Sequence, residues 1–503
     1  MQVTTPPTRP SRLAAGAAVG GLLLYGALLV RYSYYSVGGA DTAGYANAAR
    51  GLLARQIVEP VAGLDDLSMP DQFVHLFTPL GNEPGPRPRT MVPTYPVGLP
   101  LHLAAAALLA GWRVGPFLVS PLAAVLSVAL IYLVGRELGL GRGLAIAGGA
   151  MLAANPTFFL YGLQPMSDAS ATCWSLLTIW AALGSRRRAA WGLCAGAAFG
   201  AAALVRPTSL LLLAPLLFAL RPTPKVVLLF VLGGVPAAGV FCVYNMAAFG
   251  NPLLTGYLAT NHQGLFMVGY FPSRFRHYLY WLMVTMSPLP LLGWLSVALN
   301  RHVRLRDRAL LVSWFGVFFI FYCFYFHYDA WWFTRFLLPG MPALFLGALL
   351  VVRDVVKLSK LSGLSGRRGV WLRRAAAAVL IVVVLGFERQ SGEEFRLLRV
   401  GPLEMVHAES CRWADGKMVS AAPVVAMEMS GALKYYTNRS VVRYERVDPD
   451  RWREMTARAA GKGYRWYALL MQHEVEPAQS RLAGTWIRLG GVRHISLWRI
   501  EPD

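Results

Sequence analysis

The chain has 503 residues, 55% of them hydrophobic and only 15% charged, with a mean hydropathy of +0.45, whereas an ordinary soluble domain carries about 25% charged residues. That balance excludes a soluble globular protein, and apolar runs approaching the ~20 residues of a bilayer-crossing helix, in place of shorter alternating segments, exclude a transmembrane barrel. The net charge of +22 does not indicate a nucleic-acid partner, because the basic residues stand in short blocks between apolar runs, without aromatic interleaving.

Residues 1–10 are polar and Pro-rich, and Arg9 and Arg12 flank the start of an apolar run at 13–30. The run continues into YSYYSV with no small-residue cleavage site, which predicts a retained first span with a cytoplasmic N-terminus. Span one, 13–32, leads to a long outer loop, 33–95, that opens with YYSVGGADTAGYANAARGLL. There Asp41 begins an amphipathic segment, with Tyr45, Ala49 and Leu52 at helical spacing.

The segment 96–112 is apolar but short and Pro-flanked, so it reads as a helix lying at the outer face. Later spans are predicted at 116–134, 144–161, 168–183, 191–205, 210–220, 226–247, 279–299, 310–326, 336–352 and 375–387. With this choice every block of two or more basic residues between spans falls inside, among them Arg186 to Arg188 and the long loop 353–374, as cytoplasmic loops require. The fold class is a polytopic α-helical membrane protein of about eleven spans.

From residue 388 the composition turns charged and mixed. Strand patterns at 423–429, 440–445, 464–471, 485–489 and 494–500, with helical patterns at 430–436 and 449–460, predict a small extracytoplasmic α/β domain, 388–503, following the transmembrane domain, 1–387. Residues 389–418 carry no assignment. The five cysteines show no disulfide framework and no metal-ligand spacing.

Asp41 and Asp168 are the candidate catalytic residues. Each also fits a helix N-cap, Asp41 two residues after Gly39 and Asp168 at the opening of span four. The topology places both acids on one membrane face beside Arg206 and Arg335, and ionisable groups near the hydrocarbon are costly. Two acids and two guanidinium groups suit an anionic phosphate and a proton transfer next to it, although Arg206 equally suits a side chain snorkelling to the interface.

The stretch YYSVGGADTAGYANAARGLL resembles the first outer loop of the GT-C glycosyltransferases, the multi-span enzymes that take sugars from polyprenyl-phosphate donors. TYPVGLPLHLAAAALLAG is similar to their YPPG-type segment, NPTFFLYGLQPMSDASAT to their acid-bearing turn between spans three and four, FGNPLLTGY to an outer-loop motif, and WWFTRFLLPGMP to their R-x-L-L-P-x-x-P pattern. The five motifs keep family order over residues 30–345, and the nearest likeness is to the bacterial dolichyl-phosphate-mannose-protein mannosyltransferase-like branch.

The resemblance implies a GT-C-like membrane glycosyltransferase at the extracytoplasmic face of the cell membrane. Its partners would be a polyprenyl-phosphate-linked sugar donor, a lipid, glycan or protein acceptor, and the bilayer. It also implies inversion at the anomeric carbon, with Asp41 as base, Arg335 and Arg206 on the donor phosphate, and Asp168 orienting the acceptor. Asp41 and Asp168 would be the oxygen ligands of any Mg²⁺ or Mn²⁺. One departure is that Asp41 is followed by Thr42, where many members carry a second acid; Asp65 and Asp66 are adjacent but stand outside that context.

Partial desolvation is expected to raise Asp41 above its ordinary pKa of about 3.9 and strengthen it as a base. Tyr45, Tyr95, His327 and Asp329 are the further pocket candidates. Tyr95, Pro96 and Gly98 also read as shaping the juxtamembrane turn, and Asn251 and Pro252 the second outer loop. The rival reading is a polytopic transporter or lipid flippase, which would show internal repeats and broken helices with polar groups at the midplane. A third is a structural membrane protein whose C-terminal part binds a partner.

Overall fold

A computed structural model describes residues 12–259, 262–358, 367–419 and 422–503; the polar stretch 1–10 and the centre of the basic loop 353–374 lie outside the described residues. The first helices follow the apolar runs closely. α1 (Arg12–Tyr32) covers the run expected as the first span, α2 (Ala40–Leu53) carries Asp41, and α3 (Gly98–Ala110) is the short segment after the first loop. α4 (Gly115–Glu137), α5 (Arg142–Ala154), α6 (Pro156–Leu163), α7 (Ser167–Gly184) and α8 (Trp191–Val205) follow. α4 packs on α7, α7 on α8, and α8 on the long helix Pro224–Phe249.

Among the described residues two helices, α4 and Pro224–Phe249, are each long and apolar enough to cross a membrane, and three bent pairs pass the same test together. The expected third span is one such pair, α5 and α6, bent by 63° where Asn155 precedes Pro156. The expected eighth span, 279–299, is not a straight helix. Phe271–Met286 and Leu289–Leu299 meet at 110°, because Pro288 excludes Ser287 from helical backbone and Ser287 instead takes φ +67°. The expected tenth span begins with a 3₁₀ helix, Trp331–Leu337, set at 82° to the helix that follows. Hydropathy marks apolar length and carries no information about these breaks, which bend three of the expected spans.

The basic residues of several blocks between apolar runs meet at one end of the bundle. Arg186 donates to Asp307 Oδ1 at 2.7 Å and to the carbonyls of Phe218 and Ala219, Arg187 pairs with Glu137, and Arg353 reaches the carbonyl of Leu138. Asp168 and Arg186 mark opposite ends of α7, an 18-residue helix about 27 Å long at 1.5 Å per residue. The acids of the candidate site therefore lie a membrane thickness from the basic face.

The loop 33–95 forms a three-stranded antiparallel sheet of β1 (Glu59–Pro60), β2 (Asn82–Pro84) and β3 (Thr90–Pro93). The C-terminal region forms a five-stranded mixed sheet in the order β5 (Val441–Val442), β4 (Val424–Val425), β6 (Trp466–Met471), β8 (Ile495–Glu501) and β7 (Thr485–Val492). β6 is buried at all six positions, which explains its continuous apolar run. The unassigned stretch 389–418 is helical, ending in Leu397–Glu404 and Val406–Asp415.

The C-terminal sheet is not closed by its own residues. Leu64, Met69, Phe73 and Phe77 from the first loop are fully buried against Val442, Trp452 and Trp466, each large side chain contributing about 1.5–3 kcal/mol on burial. Half-buried Lys434 reinforces the joint with an ion pair to Glu59 at 2.9 Å. The loop 33–95 and the region 388–503 thus share one core, where the composition shift at residue 388 predicts two units.

Candidate active site

Gly39 precedes α2 with φ +61° and ψ −175°, a region that essentially only glycine occupies. The turn it permits starts the helix one residue later and puts Asp41 in its first turn. Asp41 does not cap the helix, since the N-cap is Gly39 and no side chain caps there. Its carboxylate instead accepts a hydrogen bond from the Tyr95 hydroxyl at 2.6 Å on Oδ1 and from Arg335 Nη2 at 3.0 Å on Oδ2.

α2 is held from both sides. Asn47 donates to the carbonyl of Gly431 at 3.0 Å, and the Arg50 guanidinium lies 3.5 Å from the centroid of the Tyr435 ring. Toward the bundle, Tyr45 donates to Ser167 Oγ at 3.1 Å and its ring packs 4.7 Å from that of Tyr95. Gly44 makes the Tyr95 contact feasible, because a Cβ there would stand 2.3 Å from a Tyr95 ring carbon.

Asp168 likewise lies in the first turn of its helix without capping it. It is fully buried, and its Oδ1 accepts from Arg206 Nη1 at 2.7 Å. Arg206 takes extended backbone (φ −147°, ψ 110°) where Pro207 ends α8. Its side chain is only 12% exposed and turned into the site, so it does not snorkel. Arg335 comes from the 3₁₀ helix Trp331–Leu337, and its guanidinium lies 5.4 Å from the Tyr161 ring centroid and 5.1 Å from that of Phe336. Thr157 and Thr334 hold that segment with a hydroxyl pair at 2.7 Å. Arg335 Nε and Asp168 Oδ2 are buried polar atoms with no partner among the described residues.

Burial on its own raises the Asp41 carboxyl, but the Arg335 charge, the hydrogen bonds from Tyr95 and Arg335 and the charge of Arg206 outweigh it and hold the group below its ordinary value. The net direction is opposite to the raised pKa expected from desolvation. The Tyr95 phenol is driven well above its usual range, by burial first and the neighbouring carboxylate second, and stays a donor.

Asp41 stands where two cavities meet. A smaller one of about 300 Å³ contains Asp168, Arg206 and Arg335 with Tyr257, Tyr322 and Tyr325. A larger one of about 1070 Å³ opens on the other side, between the bundle and the C-terminal region. Tyr257 is the last residue of the outer-loop motif FGNPLLTGY, a signal that sequence reading had in hand; Tyr322 and Tyr325 lie beyond any motif. Asn251 shapes its loop as expected, accepting from the Leu253 amide at 2.9 Å.

His327 and Asp329 do not join the site, and neither lines the two cavities. His327 is buried against His277 and Phe333, and burial pushes it down to about 4. Asp329 points outward, with its side chain 81% exposed, held by His277 at 2.7 Å. Proximity to Arg335 in the chain is lost because the intervening 3₁₀ helix turns the two away. The paired acids Asp65 and Asp66 are also elsewhere, Asp65 bonded to Arg89.

The carboxylates of Asp41 and Asp168 are each engaged by a guanidinium rather than by a group of other oxygen ligands, whereas Mg²⁺ or Mn²⁺ needs a set of oxygen ligands. Among the described residues no group of three or more His, Cys, Asp or Glu side chains is placed to hold a metal.

Residues 96–232 match the family model of the dolichyl-phosphate-mannose-protein mannosyltransferases. That stretch includes Asp168 and Arg206 but neither Asp41 nor Arg335. No curated protein sequence matches the chain significantly. Its fold is similar to that of ArnT from Cupriavidus metallidurans bound to undecaprenyl phosphate, with a TM-score of 0.60 at 14% identity over 97% of this chain and 98% of that one. The apo state of ArnT matches with a TM-score of 0.57 at 15% identity, over 96% and 98%. The arabinofuranosyltransferase AftD from Mycobacteria matches with a TM-score of 0.53 at 13% identity, over 99% of this chain but 40% of its own length. The chain thus shares its overall fold with these proteins.

Proposed function

We propose that the chain is a membrane glycosyltransferase that moves a sugar from a polyprenyl-phosphate donor to an acceptor hydroxyl at the extracytoplasmic face. The observation that carries this reading is the Asp41 carboxylate, bonded to Tyr95 and Arg335 at the junction of a small arginine-lined cavity and a large open one. The partial family match and the fold shared with a structure bound to undecaprenyl phosphate support the donor class. The basic blocks at the far end of the bundle support an outward-facing site, since cytoplasmic loops carry the Lys and Arg excess.

In this reading the donor phosphate enters the small cavity and the acceptor approaches from the large one. The acceptor oxygen attacks the anomeric carbon as the bond to the phosphate oxygen breaks, with inversion. Polyprenyl phosphate leaves, and Asp41 takes the hydroxyl proton. Arg335 and Arg206 neutralise the phosphate, Arg335 through the fork geometry that suits phosphate oxygens. Asp168 acts through Arg206, which it fixes.

The depressed pKa of Asp41 has a use here. Arg335 cannot serve the carboxylate and the incoming phosphate equally, so donor binding draws its charge away from Asp41 and strengthens the base only once the leaving group is in place. No metal step is invoked. The test is transfer of labelled sugar from a panel of polyprenyl-phosphate sugars by the purified protein and its Asp41→Asn form. Release of polyprenyl phosphate and a glycosylated product by the wild type alone supports the reading; no consumption of any donor overturns it.

A further inference from the structure

The two cavities that meet at Asp41 differ in charge as well as size. In a chain of net charge +22, no Lys or Arg is among the described residues lining the larger cavity; besides His407 and His494 it is faced by three carboxylates, those of Asp41, Glu404 and Glu428, the first paired with Arg335. Their side chains are about one-third exposed, at 33%, 39% and 35%. The basic groups nearest Glu404 and Glu428 are imidazoles, His407 at 3.4 Å and His473 at 3.1 Å. The smaller cavity holds both Arg206 and Arg335.

A cleft lined by charge of one sign concentrates ligands of the opposite sign and repels its own. The larger cavity is thus hostile to a phosphate or carboxylate, while the arginines next door are suited to one. Its volume of about 1070 Å³ is at the upper limit of ordinary small-molecule pockets, enough for several linked sugar rings. One wall is aromatic: Trp331 stacks on Phe395 at 4.2 Å and 8°, and neighbouring Trp332 is 45% exposed. A flat apolar wall facing carboxylates that accept from hydroxyls matches a carbohydrate, whose ring faces are apolar and whose edges are hydroxyl donors.

We propose that the larger cavity binds an uncharged carbohydrate acceptor, and that Glu404 and Glu428 select it against phosphorylated or otherwise anionic acceptors. The inference rests on the transferase reading and narrows it from acceptors in general to neutral glycans. Glu404 and Glu428 come from the C-terminal region, so that region sets acceptor choice, while the bundle supplies the donor site.

The test uses the full-length protein in lipid nanodiscs, the panel of labelled polyprenyl-phosphate sugars, and membrane extract as the acceptor pool. Products are separated by anion exchange, and the acceptor recovered is compared with its chemically phosphorylated ester. Label is expected in the neutral glycan fraction, with the phosphorylated ester showing a KM about tenfold higher. The Glu404→Gln/Glu428→Gln form is expected to narrow that gap to about threefold or less, while the donor KM, which also reports folding, stays the same. Glu409→Gln, on the outer pair with Arg493, serves as the control and keeps the full gap. Label in the acidic fraction, or equal KM for neutral and phosphorylated acceptors, overturns the inference and leaves the transferase reading standing. Failure to release polyprenyl phosphate from any donor removes the transferase reading itself and this inference with it.

Discussion

Arg335 Nη2 donates to Asp41 Oδ2 at 3.0 Å, joining two residues 294 positions apart in the chain. Neither the first outer loop nor the late 3₁₀ helix is a site alone. The contact exists because Gly39 turns the chain into α2 at one end and the sharp bend after Leu337 brings Arg335 down to it at the other. Arg335 lines the small cavity and bonds the carboxylate at once; in the proposed reaction it would serve the base at rest and the phosphate once the donor binds.

Replacing Asp41 by Asn keeps the shape of the side chain and removes the proton acceptor. Sugar transfer in a single turnover is expected to fall about 10²–10⁴-fold. The thermal midpoint in detergent is expected to hold, since a partly exposed ion pair is worth only about 0–1 kcal/mol. A rate close to that of the wild type would remove Asp41 from the chemistry and move attention to Asp168.

The pH profile follows from the lowered pKa of Asp41. Below its folded pKa the group is protonated and useless as a base, so the acid limb of kcat/KM lies under the ordinary carboxylate range and the rate is insensitive to this group between about pH 5 and 8. The stability it contributes has the same sign: present above the unfolded value of about 3.9, and lost as pH falls through the folded one. Tyr95→Phe deletes one of the contacts that lower the pKa and is expected to move the acid limb upward. A limb that stays put or moves down in Tyr95→Phe would contradict the assignment.

Most helices could be read from the sequence, because an apolar run between basic blocks is a one-dimensional signal. α8 coincides with the expected 191–205, and the strands and helices of the C-terminal sheet stand where alternation and turn residues placed them. The breaks at Pro156 and Pro288 were not read, because the surrounding hydropathy is continuous. The site was half legible. Asp41, Asp168, Arg206 and Arg335 stand out as candidates because charge is conspicuous among apolar residues, and the structure brings the four together around one cavity. Which acid pairs with which arginine depends on the bends. The Glu404 and Glu428 wall, on an unassigned helix end and a loop, carried no motif.

The buried pair of Asp168 and Arg206 is expected to behave differently from Asp41. Asp168 is fully buried, so Asp168→Asn leaves the Arg206 charge buried without its counter-ion. Breaking such a pair costs about 3–5 kcal/mol. A marked drop in thermal midpoint is expected along with weaker donor binding, whereas Asp41→Asn loses rate without the drop. A stable Asp168→Asn protein that has lost only kcat would show Asp168 acting on the substrate directly.

Chelation tests the metal-free reading. The two candidate carboxylates face guanidinium groups, and a bound Mg²⁺ would need several further oxygen ligands. Treatment with EDTA followed by gel filtration is expected to leave the initial rate within about twofold, with no recovery on adding Mg²⁺ or Mn²⁺. Loss of activity restored by either ion would show a ligand set assembled from the substrate phosphate and one of these acids.

Gly44 offers a test that touches neither charge nor hydroxyl. An added Cβ would lie 2.3 Å from the Tyr95 ring and 3.0 Å from the Cα of Gly81, so the ring, its only flexible neighbour there, must swing away from α2. Alanine favours helix by about 1 kcal/mol over glycine, which offsets part of the roughly 1–3 kcal/mol cost of overpacking, so Gly44→Ala is expected to fold. It is expected to lose the 2.6 Å bond from Tyr95 to Asp41 and to shift the acid limb of kcat/KM upward, as Tyr95→Phe does. If both variants act through that one hydroxyl, the double variant shifts the limb no further than either single, since residues sharing one contact are not additive. Shifts that add would show that Gly44 positions Asp41 through the α2 backbone instead.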